Sequence, residues 1–127
     1  MASGGEAAPA RPRLLLVEDD PCTHSAFRKI FARLGWEVSS AMTVAGGLML
    51  LELRPEALIL DLMLPDGDGV DLLRKIRADR LATRVAVMTG VEDRDRLDAV
   101  RLLRPEALVR KPVDLDEVLR AIGARRR

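Results

Sequence analysis

From Arg13 onward, short apolar runs that break off at polar residues alternate with stretches of helical spacing, and this alternation leaves few architectures open to the chain. Leu14 to Val17 is an unbroken apolar run stopped by Glu18-Asp19-Asp20, as expected of a strand buried on both faces that meets a loop. Asp20 and Pro21 supply a helix N-cap and a favoured first helical residue. Ala26, Phe27, Ile30, Phe31 and Leu34 then recur at helical spacing, and Gly35 stops that helix. Trp36 to Ser39 is a second short strand, and Thr43 caps a helix to about Leu53 that Gly46 and Gly47 weaken. Ala57 to Leu60 is a third strand ending at Asp61, Pro65 to Gly69 a turn, and Val70, Leu72, Leu73 and Ile76 the buried stripe of the next helix. Val85 to Met88 runs as a strand into Thr89-Gly90, and Glu92 to Leu103 is a charged helix with Leu97 and Val100 facing inward. Ala107 to Val109 is the last strand, ahead of Lys111-Pro112, and Asp114 caps a final helix that Gly123 ends. Five βα units of this kind imply a parallel sheet covered by helices on both faces.

At 127 residues and 48% hydrophobic content, the chain suits one domain around one core. The expected division is a disordered leader over 1–13, a domain over 14–123 and a basic tail over 124–127. With 21 Lys+Arg against 20 Asp+Glu, the charge balance gives no nucleic-acid footprint. A single cysteine excludes an internal disulfide and fits a reducing compartment. No apolar run is long enough to span a bilayer, and the start lacks the apolar stretch of a secretory signal, so a cytoplasmic location is expected.

In an open α/β sheet, ligands bind outside the carboxyl ends of the strands. Those ends carry Glu18, Asp19 and Asp20 after the first strand, Asp61 after the third, Thr89 after the fourth and Lys111 after the fifth. If the strand order is 2-1-3-4-5, the first and third strands are neighbours and their acids converge. Clustered carboxylates repel, so they bind a cation or take up protons. An all-oxygen set without cysteine or histidine points to a hard ion, and few protein ligands plus a phosphoryl oxygen suit Mg²⁺ better than Ca²⁺. A carboxylate is also a nucleophile that forms an acyl phosphate, with Lys111 pairing to a phosphoryl oxygen and Thr89 donating a hydrogen bond. Only Lys29, Lys75 and Lys111 of the 21 basic residues are lysines. A lysine directly after Arg110 agrees with a need for a compact ammonium at that point.

Leu-Val-Glu18-Asp19-Asp20-Pro, Leu-Ile-Leu-Asp61-Leu-Met-Leu-Pro65-Asp-Gly-Asp-Gly69, Met-Thr89-Gly90 and Lys111-Pro112 together resemble the motifs of response-regulator receiver domains of two-component and phosphorelay systems, from about Leu14 to Ile122. The resemblance implies a flavodoxin-like (βα)5 fold with a five-stranded parallel sheet of order 2-1-3-4-5. By position it implies that Asp61 is the phosphoacceptor and that Asp19 ligates Mg²⁺. Glu18 would ligate it directly or through water, and the Met63 backbone carbonyl would complete the protein ligands. Thr89 and Lys111 would contact the phosphoryl group. The implied donor is a phosphohistidine on a sensor histidine kinase or a histidine phosphotransfer protein, and the implied output a conformational change read by an unknown partner protein. The chain would then be a signalling module and not an enzyme in the ordinary sense, monomeric or weakly dimeric, stand-alone or excised, without direct nucleic-acid or membrane binding. The alternative is a pseudo-receiver that binds partners without phosphorylation.

Two positions depart from the pattern. Many receivers carry an aromatic residue three positions before the strand-five lysine and another after the following proline; here these are Leu108 and Val113. The expected readout is therefore steric, with shifts in the Val91–Leu103 region and at Leu108. A phosphatase would need a second acid just after the nucleophile, where Leu62 and Met63 stand, and a nucleotide-binding protein would need a glycine-rich loop in place of Glu18 to Asp20. The plainer readings are an N-cap for Asp20, a turn for Asp66 to Gly69, a surface histidine at His24, a small residue at Cys22, and a solvated helix face for Arg94, Arg96, Arg101 and Arg104.

Overall fold

A computed structural model describes residues 11–123. In it, β1 (Arg13–Val17), β2 (Glu37–Ala41), β3 (Ala57–Asp61), β4 (Arg84–Thr89) and β5 (Ala107–Arg110) form one parallel sheet in the order 2-1-3-4-5. The helices are α1 (Pro21–Arg33), α2 (Val44–Leu50), α3 (Val70–Ala78), α4 (Arg94–Leu102) and α5 (Leu115–Ile122). Of the leader expected over 1–13, residues 1–10 lie outside the described residues, as does the tail over 124–127, while Arg13 opens β1.

Strand side chains alternate between two apolar layers. Leu15, Val17, Leu58, Leu60, Val85 and Val87 point into one, which α2, α3 and α4 cover. Leu14, Leu16, Ile59, Ala86, Met88 and Val109 point into the other, closed by Phe31 of α1 and Val118 and Ile122 of α5. The three central strands are buried on both faces, which is why their sequences read as unbroken apolar runs. Edge strand β2, in contrast, is only partly buried and carries Ser39 and Ser40.

The helix ends follow the local chemistry. Asp20 caps α1 through Thr23 N, with Pro21 at the first helical position, and Thr43 caps α2 through Gly46 N. Asp93 and Asp114 cap α4 and α5 in the same way. Helix α4 is therefore shorter at its start than the Glu92–Leu103 reading, because the Asp93 cap fixes where it begins. Helix α2 is short as well, passing into a 3₁₀ turn at Leu51–Leu53. Its Gly47 packs so tightly on α3 and β1 that an added Cβ would lie 2.5 Å from Leu72 Cδ2 and 3.1 Å from Val17 Cγ2. The expected turn at Pro65–Gly69 belongs to a small antiparallel hairpin that pairs Met63–Leu64 with Gly67–Asp68.

Candidate functional site

Sheet register assembles the polar residues. Val17 of β1 is opposite Leu60 of β3, so Glu18 follows on one side as Asp61 ends the strand on the other. Asp61 is opposite Met88 of β4, which places Thr89 one step further on, and Thr89 is opposite Arg110, which places Lys111 beyond it. All these positions lie at the carboxyl edge of the sheet, where backbone pairing ends and side chains have to supply the hydrogen bonds.

The resulting geometry is compact. One carboxylate oxygen each from Glu18, Asp19 and Asp61 lie within 4.8 Å of one another. Lys111 Nζ donates to Asp61 Oδ2 at 2.9 Å and to Glu18 Oε1 at 3.3 Å. Glu18 Oε2 accepts from Asp20 N at 2.9 Å, and Asp61 Oδ1 from Met63 N at 3.0 Å. Glu18 and Thr89 are fully buried and Asp61 nearly so, whereas Asp19 is partly open to solvent. The Thr89 hydroxyl accepts from Val91 N at 2.8 Å, which fixes its oxygen while its own proton stays available to an acceptor. The Lys111–Pro112 peptide is cis.

Burial raises the Glu18 carboxyl above its usual value, and the nearby charge of Asp61 adds to this against the Asp20 N–H and Lys111, which oppose it. For Lys111, burial alone would lower the ammonium. The hydrogen bond and charge of Asp61, and then Glu18, outweigh it and hold the group above its ordinary range. Two buried acids facing one cation leave net negative charge, and the donors are all oxygen. A small hard divalent cation fits this set by its chemistry.

Glu18, Asp19, Asp61 and Lys111 are thus brought together, with Thr89 at the adjacent strand end. Met63 joins through its N–H to Asp61, and its side chain is exposed. Asp66 and Asp68, singled out only as turn residues, each have a partner. Asp66 accepts from Val44 N at 2.7 Å and Ala45 N at 3.0 Å, a second cap on α2. Asp68 accepts from Val70 N at 2.9 Å and pairs with Arg96 at 2.8 Å. Arg96 therefore does not belong to a solvated face. Arg94, Arg101 and Arg104 are exposed, but the Arg96 guanidinium turns inward to Asp68 and to the Leu62 carbonyl, 3.2 Å away. Its separation of 28 residues from Asp68 gives no local pattern to find. His24, expected at the surface, is half-buried, with Nε2 enclosed and without a partner among the described residues, and Cys22 is exposed.

Sheet order, two-sided core and an acid cluster at the carboxyl edge define a doubly wound α/β domain with its site at the switch between β1 and β3. The response regulator receiver domain pattern matches residues 14–123, and the chain belongs to that family. Acid tolerance regulatory protein ActR of Rhizobium meliloti (strain 1021) is 34% identical over 111 residues, covering 86% of this chain and 57% of ActR, so the chain spans little more than half of that regulator. Sporulation initiation phosphotransferase F of Bacillus subtilis (strain 168) is 26% identical over 114 residues, with 87% of this chain and 90% of that protein covered. Among solved structures, a response regulator receiver protein from Pseudomonas putida is similar with a TM-score of 0.81 at 28% identity, over 93% of this chain and 100% of that one.

Proposed function

We propose that Asp61 accepts a phosphoryl group from a phosphohistidine on a partner kinase or phosphotransfer protein, and that the domain passes this state to an output partner. The observation that carries the reading is the Lys111 ammonium bridging Asp61 and Glu18 beside a third carboxylate, Asp19. An Asp61 carboxylate oxygen attacks phosphorus. The phosphorus–nitrogen bond of the donor breaks, its electron pair stays on the imidazole, and an acyl phosphate forms. Lys111 then exchanges a carboxylate partner for a phosphoryl oxygen, and the Thr89 hydroxyl donates to another. Glu18, Asp19, Asp61 and the Met63 carbonyl would hold Mg²⁺, which when bound offsets the negative charge of the phosphoryl oxygens. Burial of Glu18 and Asp61 limits water at the acceptor and strengthens each charge interaction.

The relatives bear on the output. ActR extends well past the matched region, whereas the Bacillus protein, named a phosphotransferase, is matched over 90% of its length. Both a relay role and control of a further domain are compatible with the same acceptor chemistry. No helix among the described residues is long and apolar enough to cross a membrane. We place the reaction in the cytoplasm, with the phosphodonor. The complete set of acids, hydroxyl and ammonium favours phosphotransfer over phosphorylation-independent binding. Incubation with Mg²⁺ and acetyl phosphate, followed by intact mass, tests this. The wild-type chain gains a phosphoryl mass and Asp61→Asn does not; no gain in the wild type would reject the reading.

A further inference from the structure

We propose that Arg96 is a positioning residue that ties α4 to the phosphoacceptor loop, so that α4 senses the state of Asp61 through one peptide plane. The proposal rests on the acceptor role of Asp61 given above. The Leu62–Met63 peptide is held at both edges. On one edge, Met63 N–H donates to Asp61 Oδ1 at 3.0 Å. On the other, the Leu62 carbonyl accepts from Gly69 N at 2.8 Å and from Arg96 Nη2 at 3.2 Å. A peptide unit is stiff about its C–N bond, so its N–H and C=O turn together. Any change in what Asp61 Oδ1 offers Met63 N–H is therefore delivered to the Leu62 oxygen, and from there to Gly69 and Arg96.

Neither recipient has slack. Gly69 sits directly against β3: a methyl group there would overlap the Asp61 carbonyl oxygen and lie 3.0 Å from Leu60 Cδ1. The Arg96 guanidinium is pinned through Nε to Asp68 Oδ2 at 2.8 Å, while Asp68 Oδ1 accepts from Val70 N at 2.9 Å and the Asp68 backbone pairs with Met63. At its other end, Arg96 belongs to the first turn of α4, with its backbone N–H on the Asp93 cap and the next residue, Leu97, buried. The guanidinium thus links α4 to the acceptor loop at two acceptors, a carboxylate and a carbonyl. A planar fork reaches each acceptor with a separate nitrogen in fixed geometry, whereas an ammonium has to reach both from one nitrogen.

An exposed ion pair of ordinary kind would contribute little and would couple nothing. Arg96 and Asp68 differ from one, since their side chains are only 30% and 34% exposed and the guanidinium also reaches a backbone carbonyl next to Asp61. The contact also bypasses β5. Leu108 there is half-buried and apolar and has no hydroxyl or ring to relay a hydrogen bond.

The test uses the full chain with ¹⁵N labelling, with and without Mg²⁺ and acetyl phosphate, and intact mass on the same samples. Arg96→Ala, Arg96→Lys and Asp68→Asn are compared with wild type. All four accept the phosphoryl group, and all four show a shifted Met63 amide. In the wild type the amides of Arg94–Leu102 shift as well. In Arg96→Ala those α4 shifts fall to less than about half, Arg96→Lys restores them only in part, and Asp68→Asn weakens them. Without either additive, loss of the charged donor speeds exchange of the Gly69 amide by about tenfold in Arg96→Ala. Phosphorylated Arg96→Ala with α4 shifts of wild-type size, or unchanged Gly69 exchange, overturns the proposal. Absence of a mass gain in the wild type removes the acceptor role itself, a separate result that removes this proposal with it.

Discussion

Lys111 faces two buried acids, and that imbalance governs how the site responds to pH. The Glu18 carboxyl is raised above 4.5 by burial, with Asp61 adding to it. A carboxyl raised in this way holds more protons folded than unfolded in the window that opens at 4.5. Stability therefore declines as pH rises through it. Glu18→Gln removes that contribution. In Mg²⁺-free buffer, urea midpoints of the variant gain on the wild type as pH rises above 4.5, and a difference that stays flat with pH contradicts the account. Lys111 gives a slope of the same sign in a higher window, since its contribution is present below 10.5 and lost as pH rises above it. These charged residues were legible in the sequence, because each follows an apolar run and strand ends are where an α/β sheet presents its chemistry. Arg96 was not legible. Among Asp93, Asp95 and Asp98 it has the local signature of a solvated helix, and only the tertiary approach of α4 to the Met63–Asp68 hairpin gives it a different partner.

At the scale of elements, α2 shows packing overriding propensity. Its two glycines read as helix-weakening, yet Gly47 is where α2 comes closest to β1 and α3. Gly47→Ala would gain about 1 kcal/mol of helix propensity, while overpacking against Leu72 and Val17 costs about 1–3 kcal/mol. The expected net effect is a loss of about 1 kcal/mol, measured by urea unfolding; a more stable variant would show that Leu72 moves aside freely. The same helix is capped from a distance by Asp66, whose carboxyl is held below 3.8 by the N–H groups of Ala45 and Val44. For a depressed carboxyl, stability is present above 3.8 and lost as pH falls below it. The midpoint difference between wild type and Asp66→Ala therefore narrows as the solution is acidified below 3.8, and a constant difference would contradict the cap. Asp66 reads as a turn residue because a cap 22 residues away leaves no mark in local spacing. The caps at Asp20, Thr43 and Asp114 were readable, since each bonds within three residues of itself, whereas Asp93, equally local, was masked by the acidic residues on either side of it at Glu92 and Asp95.

For the whole molecule, one register explains why so much of the site followed from the sequence. Parallel pairing in the order 2-1-3-4-5 puts the ends of β1, β3, β4 and β5 side by side, and the acids, the hydroxyl and the ammonium arrive together. The central claim is that Asp61, and no other carboxylate of the cluster, becomes an acyl phosphate. Borohydride reduction after incubation with Mg²⁺ and acetyl phosphate reads this most directly, because it converts a phosphorylated aspartate to homoserine that peptide mass analysis can locate. The account predicts homoserine at position 61, absent when acetyl phosphate is withheld. Homoserine at position 19, or none anywhere in the chain, would contradict it.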